Sequence, residues 1–479
     1  MPELILAIDV GTTSARAGVF GPDATRRAMA RARLTSLNPA PGRVEQDAEG
    51  VWRAVRGVIR RALSEAGCTG ADLAAVGLTT QRASAVVWDR QTGKPLSPLV
   101  IWSDLRGVER ASDLMRAGYF VSPQQSATKL EAIIREIADA ETLRAQGRLA
   151  WGNIDSFLIW RLSGGGAHVT DRSQAWPSGY LNLMDLDWNR DLIDLQGLDP
   201  AMFPRLVDTR GPMATSGSSM LGAAVPITAD IADQQSALAA HGPGAGVAKV
   251  SYGTSATVNM STAGLSLAGL PGLPPLIVSS EDGQTAYCLE GMVLSAGSAL
   301  DWLRGACGLG GHAAFEALAA SVADSAGAAF LPALQGLGAP HPDPARRGGL
   351  TGLSPAVSRA HVARAGLEGV AFRVREVADH VFGLDGAAPP EVLNVDGGLT
   401  ANETFMQIQA DLLGRPVRRH AAREATLAGA ALGAGLGAGL LQAADVGAFA
   451  RYDAVFTPAI GRDEADARFA AWQGAAHGG

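Results

Sequence analysis

Three observations in this sequence predict an α/β fold built as two duplicated domains. The chain has 479 residues, beyond the roughly 250–300 at which a single hydrophobic core stops growing. Its first half alternates apolar runs of strand length with segments of helical period. The stretch "AIDVGTTSARAGVF" near the N-terminus has an echo about 240 residues later, "VAKVSYGTSATVNMST", and such a repeat indicates duplication. Each copy reads as a strand, a Gly–Thr turn and a second strand. The division is expected in "AAHGPGAGVA", where Gly242, Pro243, Gly244 and Gly246 break both periods, so the domains run 1–243 and 244–479.

Taken in order, Leu4–Asp9 and Ala15–Phe20 form the first hairpin, turning at Gly11. A helix over Val51–Ala66 follows, N-capped by Asp47, with Val51, Val55, Val58, Ile59 and Ala62 on one face. The strand "LAAVGLTTQ" ends at Gln81–Arg82, and two more strands flank a turn at Thr92–Gly93. In the second half, the helix starting at Ser358 buries Val370, Val374, Val377 and Val381. "EVLNVDGGLTANETFMQIQADLLG" gives a strand, a turn at Asp396–Gly397–Gly398, a helix from near Asn402 and a stop at Gly414.

Composition narrows the function. A hydrophobic share of 47% and a charged share of 18% describe an ordinary globular protein. The net charge of −7 argues against nucleic acid as a partner and for a small molecule. Cys68, Cys288 and Cys307 are odd in number and far apart, which suits reduced thiols, and no basic leader precedes the first strand, so a cytoplasmic location is expected. No His/Cys metal spacing occurs. The uncharged run from Ala425 to Ala444 has the length of a membrane span, but its Ala and Gly content supplies little transfer energy. A buried helix approaching a neighbour through Gly433, Gly435 and Gly437 is the expectation, and no membrane partner.

A Gly–Thr–Thr turn between strands points amides and hydroxyls one way and can cradle phosphate oxygens. It is no Walker loop, since GxxxxGK[ST] is absent. One such turn alone is as well read as a structural hairpin. The second copy, "SYGTSATV", and the strand-end carboxylate Asp9 as a Mg²⁺ or water ligand turn the reading toward a nucleotide site.

Ordered blocks run from Ile5 to about Leu441: "VEQDAEGVW", "GLTTQRASAVVWDRQTGKPLSPLVIWSDLR", "SATKL", "HVTDRS", "IADQQSAL", "SYGTSA", "LEGMVLSAGSALDWLR" and "VDGGLTANETFMQIQADLLGRPV" among them. In that order they resemble the FGGY carbohydrate kinases of the sugar kinase/actin/Hsp70 superfamily, most nearly the glycerol kinase branch. The resemblance implies two actin/RNase H-like domains, each a mixed β-sheet flanked by helices, with the active site in the cleft between them. It implies ATP and Mg²⁺ as cofactors, a small sugar or polyol as substrate, and a homodimer as one assembly.

By position, the resemblance assigns Thr12, Thr13 and Arg16 to the first phosphate loop and Gly253 and Thr254 to the second. Gly297, Gly398 and Asn402 would hold adenosine, Asp9 and Asp233 would hold Mg²⁺ largely through water, and Asp233 would be the catalytic base. A carboxylate taking the hydroxyl proton is what phosphoryl transfer to an alcohol needs; the plainer role for Asp233 is an N-cap of the helix "QQSALAA". Gln81, Arg82, Trp102 and Gln234 match substrate contacts of the branch. The plainer roles are core packing for Trp102 and a pair with Asp104 for Arg82, while Asp104 and Arg106 read as structural.

Four positions depart from the branch: its Glu is Ala83, its Tyr is Gln124, its Phe is Thr257, and the Trp closing the "SATKL" signature is Ala132. Losing the acid removes hydrogen bonds a small polyol uses, and Gln124 and Thr257 enlarge the pocket. These departures predict a ketose such as xylulose or ribulose, or a four- to six-carbon polyol, with glycerol as the alternative substrate. A superfamily ATPase that phosphorylates no metabolite is the rival from another class; Gln81, Arg82, Trp102, Asp233 and Gln234 speak against it.

Overall fold

The hairpin expected around Gly11 forms. β1 (Leu4–Val10) and β2 (Ser14–Phe20) pair antiparallel, setting Asp9 opposite Arg16. This computed structural model describes residues 2–270, 273–384 and 389–477. It divides into two units, Met1–Ala240 with Leu276–Thr285 and Thr426–Phe449, and His241–Pro275 with Ala286–Ala425 and Ala450–Gly479. Where the sequence reading places one division after residue 243, the chain path has further returns to the first unit, at 276–285 and 426–449.

In the first unit β3 (Arg26–Arg33) pairs antiparallel with β2, and helix α1 (Ala48–Ala66) packs on both. Asp47 accepts from Glu49 N as its cap, so α1 starts one turn earlier than expected, and it ends at Gly67 with φ 64°. Val51, Val55, Val58, Ile59 and Ala62 are all buried; a fully buried Val or Ile contributes about 1.5–3 kcal/mol. β4 (Leu73–Thr80) runs parallel to β1. β5 (Arg210–Thr215) and β6 (Pro226–Ala232) complete a sheet of order β5-β6-β4-β1-β2-β3, with β6 parallel to β4. β1, β4 and β6 are buried almost throughout, as parallel strands covered on both faces must be.

Around Thr92–Gly93 the simple hairpin expected is replaced. Val86–Asp89 pairs with Leu149–Gly152, and Leu99–Val100 pairs with Glu45–Gln46. Only single bridges, Ala85 to Val100 and Trp88 to Pro95, join the two runs. The Gly93 N–H still closes the turn on Asp89 O at 2.7 Å.

In the second unit β7 (Ala248–Tyr252) and β8 (Ala256–Thr262) form the echoed hairpin. β9 (Gln284–Val293) pairs with β8, helix α3 (Gly297–Ala306) follows, and the helix predicted from Ser358 is α4 (Arg359–Gly383). The four valines expected on its inner face, Val370, Val374, Val377 and Val381, are buried. β10 (Leu393–Asp396) leads through the Gly397–Gly398 turn to α5 (Glu403–Leu413), capped by Asn402 and stopped at Gly414 with φ 64°. β11 (Val417–His420) and β12 (Tyr452–Phe456) follow, so that six strands of a seven-stranded sheet run β9-β8-β7-β10-β11-β12. Both units therefore repeat one arrangement: an antiparallel meander of three, two parallel strands beside its first member, and an antiparallel edge.

The apolar run from Ala425 is a helix over Ala425–Gly437, buried in the first unit. Its glycines allow the predicted close approach: a Cβ on Gly437 would lie 2.1 Å from Thr228 O, and one on Gly429 1.9 Å from Ser236 O. Among the described residues no helix is long and apolar enough to cross a membrane.

Candidate active site

Three neighbouring parallel strands end together, and the residues that follow them converge. The register sets Val10 beside Thr80 and Thr80 beside Ala232. Gly11–Thr13, Gln81–Arg82 and Asp233 are therefore the next residues on β1, β4 and β6. Gln81 N–H donates to Val10 O at 2.8 Å. Ligands of open α/β sheets bind at such carboxyl ends.

Thr12 is the centre of this group. Trp102 Nε1 donates to its hydroxyl at 3.0 Å, the hydroxyl donates to Gln81 Oε1 at 3.1 Å, and Gln46 Nε2 donates to its carbonyl at 2.6 Å. Thr12 thus sits with the expected substrate residues, while the neighbouring Thr13 is exposed. Trp102 is no plain core residue, because its indole N–H is used here.

Arg82 Nε lies 3.4 Å from Asp233 Oδ1, so the pair with Asp104 is not formed. Asp104 is instead buried against Arg106, at 2.9 Å, and Val44 N, at 2.7 Å, as a structural pair. Asp233 is also not the N-cap. Helix α2 (Asp233–Ala239) begins on it, Ala232 holds the cap position, and Gln234 N–H donates to Asp233 Oδ1 at 2.8 Å. As the first residue of α2, directly after β6, Asp233 is placed by the end of that strand.

Across the hairpin Arg16 Nη1 lies 2.6 Å from Asp9 Oδ2. Among the described residues no three His, Cys, Asp or Glu gather to hold a metal. Asp9 and Asp233 are nevertheless a donor set that fits Mg²⁺, which takes one or two carboxylates and completes its shell with water and phosphate oxygens. Gln124 stands on an exposed turn, and Ala83, buried with φ 54°, offers no carboxylate.

The second unit holds the other predicted residues. Gly253 and Thr254 make an exposed turn closed by Gly253 N–H on Ser255 O at 2.9 Å. Gly297 N–H donates to Gly253 O at 3.1 Å, and a Cβ there would lie 2.5 Å from that oxygen. A Cβ on Gly397 would lie 2.3 Å from Tyr252 O, which places the Gly397–Gly398 turn against the same loop. Asn402 caps α5 through Phe405 N at 2.8 Å. Gly253, Thr254, Gly297 and Gly398 thus come together; Thr257 lies buried on β8 opposite Ser251 and Met292.

Comparison with known proteins agrees with this layout. The profile of the FGGY family of carbohydrate kinases matches in both parts, its N-terminal domain over residues 4–240 and its C-terminal domain over 248–438. The chain belongs to the FGGY family of carbohydrate kinases. It is 39% identical over 487 residues to a glycerol kinase of Dechloromonas aromatica (strain RCB), covering 98% of this chain and 96% of that one. A glycerol kinase of Thermus brockianus is 36% identical over 482 residues, at 98% and 97% coverage. Among solved structures, Plasmodium falciparum glycerol kinase with ADP superposes with a TM-score of 0.89 at 25% identity, covering 98% of this chain and 97% of that one. Xylulose kinase from Rhodospirillum rubrum gives 0.83 at 26% identity, with 98% and 97% coverage.

Several residues of this FGGY kinase carry the site without having been assigned a role from sequence. Behind Asp233, Asp155, Asp171 and Asp230 are fully buried. Asp171 accepts from Ser173 N, Gln174 N and the hydroxyls of Ser173 and Thr209 at 2.7–3.0 Å. Burial pushes Asp171 up to about 7, but those four donors favour its anion. Asp230 is the protonated member, raised by burial and by the charges of Asp155 and Asp171. The "HVTDRS" block held Asp171 and Ser173 in view, yet a buried hydrogen-bond relay has no sequence pattern of its own. In the second unit His241 Nε2 lies 3.1 Å from Asp396 Oδ2; burial pushes His241 down to about 4. For Asp396, burial is outweighed by the His241 hydrogen bond and the Lys249 charge, and its carboxyl is lowered.

Proposed function

We propose that this FGGY kinase transfers the γ-phosphoryl group of ATP to a hydroxyl of a small polyol, with glycerol the first acceptor to test. The observation that carries the reading is the Arg82–Asp233 pair at the ends of neighbouring parallel strands, beside the Thr12, Gln81 and Trp102 network. A carboxylate there accepts the acceptor's hydroxyl proton as the O–P bond forms. Arg82 sets a cation beside that carboxylate and offers planar donors to vicinal hydroxyls, and the Trp102 indole offers an apolar face to C–H groups. The turns at Thr12–Thr13 and Gly253–Thr254 point amides at phosphate oxygens, and Gly297, Gly398 and Asn402 serve adenosine. Mg²⁺, when bound, neutralises phosphate charge; Asp9 and Asp233 would hold it. The chain's thiols and acidic balance suit a cytoplasmic enzyme.

Glycerol is favoured by the relatives, which are named for it. A longer acceptor, a ketose or a four- to six-carbon polyol, is favoured by Ala83, Gln124 and Thr257. Without the acid at position 83, a buried hydroxyl loses a partner, at about 1–3 kcal/mol each. A coupled ADP-release assay with glycerol, D-xylulose, D-ribulose, erythritol and arabitol decides. Highest kcat/KM for glycerol supports the first reading, and highest for a longer acceptor supports the second. ADP release that no acceptor stimulates would overturn both in favour of a plain ATPase.

A further inference from the structure

Lys129 is fully buried, and its ammonium reaches three main-chain carbonyls: Gln124 O at 2.7 Å, Ile101 O at 3.0 Å and Trp102 O at 3.3 Å. Three protons meet three acceptors, with no carboxylate directly on the nitrogen. The nearest charges, Asp104 and Arg106, pair with each other. Those carbonyls come from two separate segments that both bear expected acceptor residues. Trp102 lies on the turn two residues past the strand Leu99–Val100, and Gln124 sits on the turn before the helix Leu130–Arg135. From Trp102 the contacts continue through its indole N–H to Thr12 and from Thr12 to Gln81, next to Arg82 and Asp233.

We propose that Lys129 is a positioning residue for the acceptor pocket, its ammonium fastening the Trp102 strand end and the Gln124 turn to one point. The proposal rests on the kinase reading above for the roles of Trp102 and Gln124.

Amino-acid usage supports it. Among the chain's 40 basic residues only Lys94, Lys129 and Lys249 are lysines. Lys129 and Lys249 are both fully buried, so lysine is used here chiefly where a compact ammonium must converge on several acceptors. A planar guanidinium cannot bring its donors to three carbonyls around one atom. Burial pushes Lys129 down to about 7, with Asp104 acting to raise it and Arg106 to lower it. The site holds its charge at a cost that packing alone would not require.

The test is the split between acceptor and nucleotide kinetics in Lys129→Met, with glycerol and D-xylulose as probes. An acceptor KM raised about 10- to 100-fold is expected, since small misplacements of positioning groups have effects of that size. The ATP KM should stay within about twofold, which a general loss of structure would not give. Lys129→Gln keeps two donors on a shorter stem and should show a smaller rise in the same direction; it serves if the Met variant fails to fold. An unchanged acceptor KM in a folded variant, or equal rises for acceptor and ATP, would overturn the role of Lys129 alone. Wild-type protein that neither binds nor phosphorylates any probe would instead remove the kinase reading, and this proposal with it.

Discussion

Asp233 is held through a relay of hydrogen bonds behind it. Ala232 N–H donates to Ser173 Oγ at 2.9 Å, Ser173 Oγ donates to Asp171 Oδ1 at 2.8 Å, and Gln174 Nε2 donates to Thr80 Oγ1 at 2.8 Å. The ends of β4 and β6 are thus fastened to one turn, which fixes Arg82 and Asp233 relative to each other. Asp233→Asn keeps the shape and removes the proposed proton acceptor. It should lower kcat by about 10²–10⁴-fold, the range for a positioned general base, while calorimetry without Mg²⁺ finds ADP binding unchanged. Turnover retained in that variant would dismiss Asp233 as the base. At this scale the sequence let Asp9, Gln81, Arg82 and Asp233 be picked out, and the structure sets them at or just past the ends of neighbouring parallel strands. The site was not legible at Lys129, because its partners are main-chain carbonyls, and every residue type supplies those.

Elements were legible by their period and punctuation. Asp47 before α1 and Asn402 and Gly414 around α5 stand at the ends as expected, and Gly67 closes α1. The strands around Thr92–Gly93 were the exception, since their hydrogen bonds go to Glu45–Gln46 and Leu149–Gly152, partners remote in sequence. The Ala425–Gly437 helix shows how little tolerance the packing leaves. A methyl on Gly429 would stand 1.9 Å from Ser236 O, on the same helix α2 that Asp233 begins. Gly429→Ala should therefore destabilise the chain by about 1–3 kcal/mol, the usual cost of overpacking. Gly447→Ala meets no atom within 4 Å and is the control. Equal urea midpoints for the two variants would contradict the close approach.

For the whole molecule two buried titrating groups, one in each unit, respond to pH in opposite senses. His241, in the second unit, faces Asp396, Lys249, His420 and Tyr452, and burial lowers it from 6.5 to about 4. Its contribution is complete above pH 6.5 and is lost as pH falls toward 4, because the unfolded chain then binds the proton more readily. Asp230, in the first unit, is raised above its ordinary 3.8. Its contribution is present below that value and is lost as pH rises, because the unfolded chain then gives up the proton more readily. Guanidinium unfolding from about pH 4 to 8 should show His241→Gln flattening the acid-side loss and Asp230→Asn flattening the alkaline-side loss. A slope left unchanged by either variant would refute that assignment.

By itself the sequence determined the α/β class, the duplicated hairpin with its Gly–Thr turns, the helix limits and the acidic and hydroxyl residues at strand ends. These follow from local rules, in which side-chain period, caps and turn residues act over a few positions. Tertiary structure alone decided that β1, β4 and β6 end side by side, that the chain returns to the first unit twice, and that Lys129 draws Ile101, Trp102 and Gln124 together. Those are contacts between backbone groups far apart in the chain, and backbone groups carry no sequence by which to be recognised.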